Sequence, residues 1–181
     1  ELHYEDVPVP ESMMVGGLNQ GWTCLTKSLG EERTGLGGTR NMRRLMEELV
    51  AYAKKKRRNG KPIRQDDTIR RALADFATKL EVARLLYYQA AWLQENKLPF
   101  DIPAAISKLF TSELYHLCAD VGGLVLGPEA QVEASSPDAP LRGKIEVLYR
   151  HCPACTIGGG TSQIQRNIIA IRGQGLPTGK D

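Results

Sequence analysis

Apolar residues recur at helical spacing along most of the chain. Between residues 66 and 95 they alternate steps of four and three, at Ile69, Leu73, Phe76, Leu80, Ala83, Tyr87 and Ala90. This spacing places one apolar face along a long helix. Alternating steps of three and four are typical of helices that pack nearly antiparallel in a bundle. The strongest pattern in the sequence therefore predicts a helical bundle.

Other segments repeat the helical pattern. The pattern begins at Trp22, Leu25 and Leu29 and is then broken by glycines. It resumes at Met42, Met46, Leu49 and Ala53, so these segments are predicted to form one interrupted helix or two helices. Asp101 followed by Pro103 marks the start of a long helix with its buried stripe at Ile106, Phe110, Leu114, Leu117 and Val121, weakened at Gly122-Gly123. Residues 127–140 are predicted to form a loop, followed by two shorter helices over about 141–152 and 161–172.

The start of the chain has a different pattern. Leu2, Tyr4 and Val7 stand in a short stretch that ends Val7-Pro8-Val9-Pro10, which suits an edge strand or its exit rather than a helix. Because a lone strand is not stable, we expect the chain to begin inside a larger protein whose sheet precedes it. The predicted fold is all-α, an antiparallel four-helix-type bundle with extra short helices, preceded by a remnant β-strand.

Composition narrows the class of protein. The 181 residues, 41% of them hydrophobic, are enough for one domain with a sizeable core, and the formal net charge of +3 is low for a dedicated nucleic-acid binder. No membrane span or signal peptide is recognisable in the sequence. Four cysteines are too few for a disulfide scaffold of this length, which favours a reducing compartment, and we expect a cytoplasmic protein.

Two stretches suggest ligand binding. A basic cluster runs from Lys54 to Lys61 with Arg64, and it suits either a helix end stabilised by cations or a phosphate site. Binding to nucleic acid is less favoured, because no aromatic residue is interleaved to stack on bases. Gly158-Gly159-Gly160-Thr161 suits a close ligand approach with Thr161 at a helix start, or simply a flexible loop and an N-cap.

Two further motifs are weak by themselves. Cys152-Pro153-Ala154-Cys155 lacks the second pair that a zinc site needs and the strand that precedes a thioredoxin-like motif, so we expect neither a metal nor a redox site. Glu31-Glu32-Arg33 carries surface charges that are usually solvated. Periodicity and charge alone give Glu32 no special role.

The order of several motifs resembles the C-terminal domain of acyl-CoA dehydrogenases, particularly bacterial and actinobacterial ones. The longest match is the terminal segment from Gly158-Gly159-Gly160-Thr161-Ser162-Gln163 to Arg172-Gly173-Gln174-Gly175-Leu176-Pro177. Glu5-Asp6-Val7-Pro8-Val9-Pro10, Gly17-Leu18-Asn19-Gln20-Gly21-Trp22 and Leu29-Gly30-Glu31-Glu32-Arg33 resemble the exit of the middle β domain and the first helix of the C-terminal domain. The resemblance implies that residues 1–17 are the tail of the middle domain with a linker, and that residues 18–181 are the helical domain.

The resemblance implies a reaction and the residues that carry it. Family members remove the α proton of an acyl-CoA with a carboxylate while the β hydride passes to FAD. The base most often stands just before the Gly-Thr of the terminal signature, which is Gly159 here and cannot act. In a minority it precedes the arginine of the first C-terminal helix, which makes Glu32 the expected catalytic base. Such a base must be held within reach of the substrate and partly desolvated.

The remaining assignments also come from the resemblance. Glu32, Arg33 and Gly160 are expected to line the acyl-CoA site, and Thr161 and Gln163 to contact FAD. Lys56, with Arg57 and Arg58 beside it, replaces the family's pyrophosphate-binding arginine. The expected partners are an electron-transferring flavoprotein as electron acceptor and other subunits in a homo- or hetero-oligomer, a dimer or tetramer. The expected role is fatty acid or steroid side-chain catabolism, and we expect this part alone to be inactive.

The sequence also departs from the family pattern. Asn59 replaces the usual aromatic residue before Gly60, and the family's Gln-x-Phe-Gly-Gly segment has no clear counterpart around Ala119 to Gly127. Both departures weaken the expected flavin contact across the subunit interface. The alternative is therefore a non-catalytic oligomerisation subunit or module of a heteromeric acyl-CoA dehydrogenase.

Overall fold

The protein is a bundle of α-helices. The computed structural model describes residues 3–35 and 38–178. Within these ranges the helices are α1 (Gly21–Gly35), α2 (Thr39–Lys55), α3 (Asp67–Glu95), α4 (Asp101–Leu126), α5 (Lys144–Cys155) and α6 (Ser162–Ile168). A π-helical turn at Ile169–Gly173 continues α6, and short 3-10 turns lie at Glu11–Met13, Ile63–Gln65, Gly127–Gln131 and Pro140–Gly143. Two short strands, β1 (Arg57–Arg58) and β2 (Lys61–Pro62), form an antiparallel hairpin between α2 and α3.

Helix α4 is the centre of the bundle. It packs against α3 and α5 most extensively and also contacts α1, α2 and α6. Its buried residues therefore lie on several faces rather than on the single stripe that the sequence predicts. The predicted apolar seam of α3 is confirmed, since Ile69, Phe76, Leu80, Ala83 and Ala90 are buried, and Leu73 and Tyr87 are partly buried.

Local chemistry fixes the ends and contacts of these helices. Asp66 caps α3, because its Oδ1 accepts hydrogen bonds from the backbone N–H groups of Thr68 (2.8 Å) and Ile69 (3.2 Å). Helix α4 continues through Gly122-Gly123 to Leu126, past the point where the sequence predicts it to weaken. Gly122 is needed there, because a Cβ atom at this position would lie 2.3 Å from Cδ1 of Ile145 on α5.

Two segments in the N-terminal half of the chain differ from the structure that the sequence predicts. Residues 3–10 form no strand, because the described part of the chain contains no neighbouring strand to pair with them, so the expected remnant β-strand is not formed here. The β1–β2 hairpin is not predicted, although Asn59 (φ 51°) and Gly60 (φ 77°) form its two-residue turn. Asn-Gly is the typical sequence of such turns. No helix in the described ranges is long and apolar enough to cross a membrane.

Candidate active site

A cavity of about 270 Å³ opens between α1, α3, α4, α5 and the loop before α6. It brings together residues that are far apart in the sequence. Glu32 from α1 and Gly159 from the loop, the two positions at which the family resemblance places a catalytic base, line this same cavity. The other lining residues are Tyr87, Ser107, Lys108, Thr111, Ser112, Tyr115, His151, Ala154, Cys155 and Gly158.

The glycine loop is held from inside the bundle. Gly159 (φ 67°) and Gly160 (φ 97°) have left-handed backbone conformations, which glycine adopts without steric cost. Lys108 Nζ donates a hydrogen bond to the Gly160 carbonyl (2.7 Å), and Gln165 Nε2 donates to the carbonyls of Gly159 (3.1 Å) and Gly160 (3.3 Å). Lys108 is only 4% exposed and Gln165 is fully buried. These bonds fix the direction of both carbonyls, and hence of the adjoining peptide planes.

Helix α6 starts directly after this loop. Thr161 Oγ1 accepts a hydrogen bond from the backbone N–H of Ile164 (3.2 Å), so the prediction that Thr161 caps a helix is confirmed. Gln163 is exposed on the first turn. Among the described residues, Ser162 Oγ and Gln165 Oε1 are buried without a hydrogen-bond partner. Two polar atoms of α6 are therefore left unpaired in the interior, close to the glycine loop.

The wall formed by α4 is polar although it is buried. Ser107, Lys108, Thr111 and Ser112 are each at most 6% exposed, and Tyr115 follows them along the same cavity. Burial is the main cause that raises the pKa of the Tyr115 hydroxyl above its usual value. Sequence reasoning missed this wall, because it assigned only the apolar residues of α4. A run of hydroxyls and a lysine inside an apolar helix was the available signal.

The basic cluster contributes to a separate structural contact. Lys56 Nζ donates to both carboxylate oxygens of Glu129 (2.9 and 3.0 Å), and the Tyr52 hydroxyl donates to the same carboxylate (2.8 Å). These bonds lower the pKa of Glu129, and the bond to Glu129 is the largest cause that raises the pKa of Lys56. Arg58 donates to the carbonyls of Leu124 (3.4 Å) and Val125 (3.0 Å) at the end of α4. The cations thus stabilise the C-terminal end of α4.

The residues predicted to bind FAD fall into two groups. The loop before Thr161 is bonded to Lys108, whereas Arg58 is bonded to Leu124. These two positions on α4 lie about 24 Å apart, at a rise of about 1.5 Å per residue. Arg57 stays with the second group, where its Nε donates to the Gly60 carbonyl (3.2 Å). The cavity at Glu32 and the basic cluster are therefore at different ends of the bundle.

The cysteine motif lies near the C-terminal end of α5. Cys152 Sγ is 3.4 Å from His116 Nδ1 and donates to the Tyr149 carbonyl at 3.3 Å. Burial is the main cause that raises the pKa of both the Cys152 and Cys155 thiols. A raised pKa reduces the thiolate fraction, which is the form that reacts or binds metal. The described part of the chain shows no cluster of His, Cys, Asp or Glu residues suited to a metal ion.

One predicted substrate-binding residue cannot be placed. The side chain of Arg33 lies outside what the structure describes, whereas Glu32 is described and exposed at the mouth of the cavity. Of the predicted substrate-binding residues, Gly160 is bonded to Lys108, itself a lining residue. The structure thus places Glu32 and the glycine loop together, and it adds Lys108 and Gln165 as their neighbours.

The chain belongs to the acyl-CoA dehydrogenase family. Residues 19–173 match the family model for the acyl-CoA dehydrogenase C-terminal domain. Acyl-CoA dehydrogenase FadE26 of Mycobacterium tuberculosis is 33% identical over 183 residues, with 97% of this chain and 45% of that protein covered. Subunit CarC of the caffeyl-CoA reductase-Etf complex of Acetobacterium woodii is 32% identical, with 94% of this chain and 43% of that protein covered.

A solved structure supports the same fold. The crystal structure of the ChsE4-ChsE5 complex from Mycobacterium tuberculosis superimposes with a TM-score of 0.86 at 32% identity, covering 97% of this chain and 46% of that one. The helical fold is therefore that of the C-terminal domain of acyl-CoA dehydrogenases. The chain spans less than half the length of each of these relatives.

Proposed function

We propose that the chain acts as the C-terminal part of a FAD-dependent acyl-CoA dehydrogenase. Residues 1–17 would be the tail of its middle β domain with a linker, and residues 18–181 would form its helical domain. The proposal is supported by the family match and by the fact that the relatives continue well beyond the matched region. The substrate class is an acyl-CoA thioester from fatty acid or steroid side-chain catabolism, and the helical part alone would be inactive.

Glu32 is the proposed catalytic base. The observation that carries this assignment is that Glu32 and Gly159 line one cavity. A carboxylate at position 32 would therefore face the same space as a base at position 159, where most of the family has it. The Glu32 carboxylate would take the α proton of the thioester and become a carboxylic acid. Bound FAD would supply the acceptor for the β hydride, and an α,β double bond would result between the two carbons. Arg33 and Gly160 would help to hold the thioester.

The residues at the start of α6 fit FAD as hydrogen-bonding partners. Thr161 Oγ1 uses a lone pair to cap α6, which leaves its O–H free to donate, and the Gln163 amide is exposed. FAD supplies the hydride acceptor when bound. Lys56, Arg57 and Arg58 would contact a pyrophosphate, and their distance of about 24 Å from the glycine loop along α4 favours the flavin of a second subunit.

The proposed partners follow from this arrangement. A basic group that serves another subunit's flavin requires a dimer or tetramer, either homomeric or heteromeric. Two relatives belong to assemblies, since CarC is a subunit of the caffeyl-CoA reductase-Etf complex and the solved ChsE4-ChsE5 structure is that of a complex. We therefore propose an electron-transferring flavoprotein as the electron acceptor.

Replacement of Glu32 tests the proposal. In the longer protein that contains this chain, the Glu32→Gln variant should lower the rate of anaerobic flavin reduction by acyl-CoA by about 10²–10⁴-fold, as expected for a lost general base. Glu47→Gln is the matched control, because Glu47 is an exposed residue of α2 outside the cavity. Flavin reduction that survives unchanged in Glu32→Gln would remove Glu32 as the base.

A silent subunit is the second candidate function. It is favoured by one observation, that Lys56 and Arg58 already bind Glu129 and the end of α4 within the chain. In that case the protein would support a catalytic partner without turnover at its own Glu32. If a purified heteromeric complex keeps full activity when Glu32→Gln is introduced in this subunit alone, the silent role is the correct one.

A further inference from the structure

Three hydroxyl groups form a line along the cavity wall. Ser107, Thr111 and Tyr115 all line the cavity, and they are spaced four residues apart on α4. Residues four apart lie on one face of a helix, about 6 Å from each other along its axis. The line therefore runs about 12 Å beside the cavity that Glu32 and Gly159 also border.

These hydroxyls have no hydrogen-bond partner within the described ranges of the chain. Ser107 is 4% exposed and Thr111 is 6% exposed, and their oxygens are not among the fully buried atoms that lack a partner, so these hydroxyls open onto the cavity. Neighbouring Ser112 differs, because its hydroxyl donates to the Leu109 carbonyl (3.0 Å). A buried hydroxyl without a partner is unfavourable, and native proteins rarely leave one unpaired. The line of hydroxyls therefore pairs with whatever fills the cavity, either water or a ligand that carries polar atoms.

An unsubstituted alkyl chain is a poor occupant. It would displace water from the cavity and leave the hydroxyls of Ser107, Thr111 and Tyr115 unpaired. Sites built to bind a substrate hydroxyl discriminate strongly against the analogue that lacks it, because their own polar groups then lose their partners. An acyl group with hydroxyl or keto oxygens along its length would pair with the line instead.

We infer that this cavity selects acyl groups that carry hydroxyl or keto oxygens over unsubstituted alkyl groups of the same length. The inference rests on the proposed function, since it takes Glu32 as the residue beside the α carbon. The cavity is large enough to hold several water molecules, so occupation by water alone is the competing outcome.

The test compares two thioesters and two variants in the longer protein. The thioesters are octanoyl-CoA and octanoyl-CoA with one hydroxyl or keto group placed along the distal half of the acyl chain. The first variant, Thr111→Val, exchanges a hydroxyl for a methyl at nearly constant shape. Thr78→Val is its matched control, because the Thr78 hydroxyl is exposed on α3 and donates to the Ala74 carbonyl (3.0 Å).

The oxygenated thioester should have a kcat/KM at least about tenfold higher than octanoyl-CoA. Thr111→Val should remove most of that difference by lowering kcat/KM for the oxygenated thioester, while Thr78→Val should leave the ratio unchanged. Because Thr111→Val replaces an unpaired hydroxyl, we expect its melting temperature to stay the same or rise. If the variant does not fold, Ser107→Ala takes its place with the same expectation.

The outcomes separate the inference from the proposed function. Equal kcat/KM for both thioesters, unaffected by Thr111→Val, would overturn the inference and show a cavity filled by water only. If neither thioester reduces the flavin, the proposed function fails, and calorimetric binding of the same thioesters decides the inference. Tighter binding of the oxygenated thioester that is lost in Thr111→Val would support it, and equal binding would overturn it.

Discussion

Lys108 is the residue on which the shape of the glycine loop depends most. Its ammonium group is almost completely buried and donates to the Gly160 carbonyl at 2.7 Å. A charge in this position is retained only where hydrogen bonds compensate its desolvation. Together with Gln165 it holds the carbonyls of Gly159 and Gly160 toward the bundle interior. At the scale of single residues, buried side chains of α4 and α6 therefore fix the conformation of the glycine loop.

Replacement of Lys108 should loosen this loop. We expect Lys108→Met to lower the free energy of unfolding by about 1–3 kcal/mol, because it removes a hydrogen bond from a charged donor. Hydrogen exchange at the amides of residues 159–161 should become faster. Lys79→Met is the control, since the exposed ion pair of Lys79 with Asp75 contributes less than about 1 kcal/mol. Urea unfolding and exchange measured by mass spectrometry check both values, and unchanged exchange at the loop would contradict the account.

At the scale of elements, the contact of α4 with α5 depends on one glycine. A Cβ atom at Gly122 would lie 2.3 Å from Ile145 Cδ1 and 2.9 Å from its Cγ1, whereas a Cβ at Gly123 would meet nothing within 4 Å. Gly122→Ala should therefore lower the free energy of unfolding by about 1–3 kcal/mol through overpacking. Gly123→Ala should raise it by about 0.5–1 kcal/mol through helix propensity. Urea midpoints of the two variants give the comparison, and equal effects would contradict the packing of α4 against α5.

The elements also show what the sequence could predict. Strong periodicity located α3, and its seam is buried as expected. The central position of α4 was missed, because a helix buried on several faces has small and polar residues where a single stripe is sought. The hairpin was missed because its strands have only two residues each, too short for an alternating pattern. Its Asn59-Gly60 turn was the single local signal.

The candidate site also contains residues that the sequence predicted and residues that it missed. The family resemblance pointed to Glu32 and to the glycine loop, and the structure places both at one cavity. The local signal for Lys108 was its place in a run of hydroxyls on the apolar helix α4, whereas Gln165 carries no local pattern that distinguishes it from other helical residues. Their role depends on contacts between residues distant in sequence, which periodicity does not report. The assignments of Arg33, Lys56, Arg57, Arg58, Thr161 and Gln163 to ligands stay predictions.

At the scale of the whole molecule, the two groups of predicted FAD contacts lie toward different ends of α4, about 24 Å apart along its axis. We expect the isolated chain to retain no flavin, because Thr161 and Gln163 would have to bind it without the basic cluster at the other end of α4. The measurement is the visible absorption spectrum of the purified chain after incubation with FAD and removal of free cofactor. A retained flavin band would contradict this expectation and show that the helical part binds FAD by itself.

The central claim is that the Glu32 carboxylate removes the α proton. Exchange of the α hydrogens of bound acyl-CoA with deuterium from the solvent reports this step directly, without the electron acceptor. In the longer protein we expect exchange to be catalysed by the native sequence and by Glu47→Gln, and to fall by about 10²–10⁴-fold in Glu32→Gln. Exchange at the native rate in Glu32→Gln would contradict the account and place the base elsewhere.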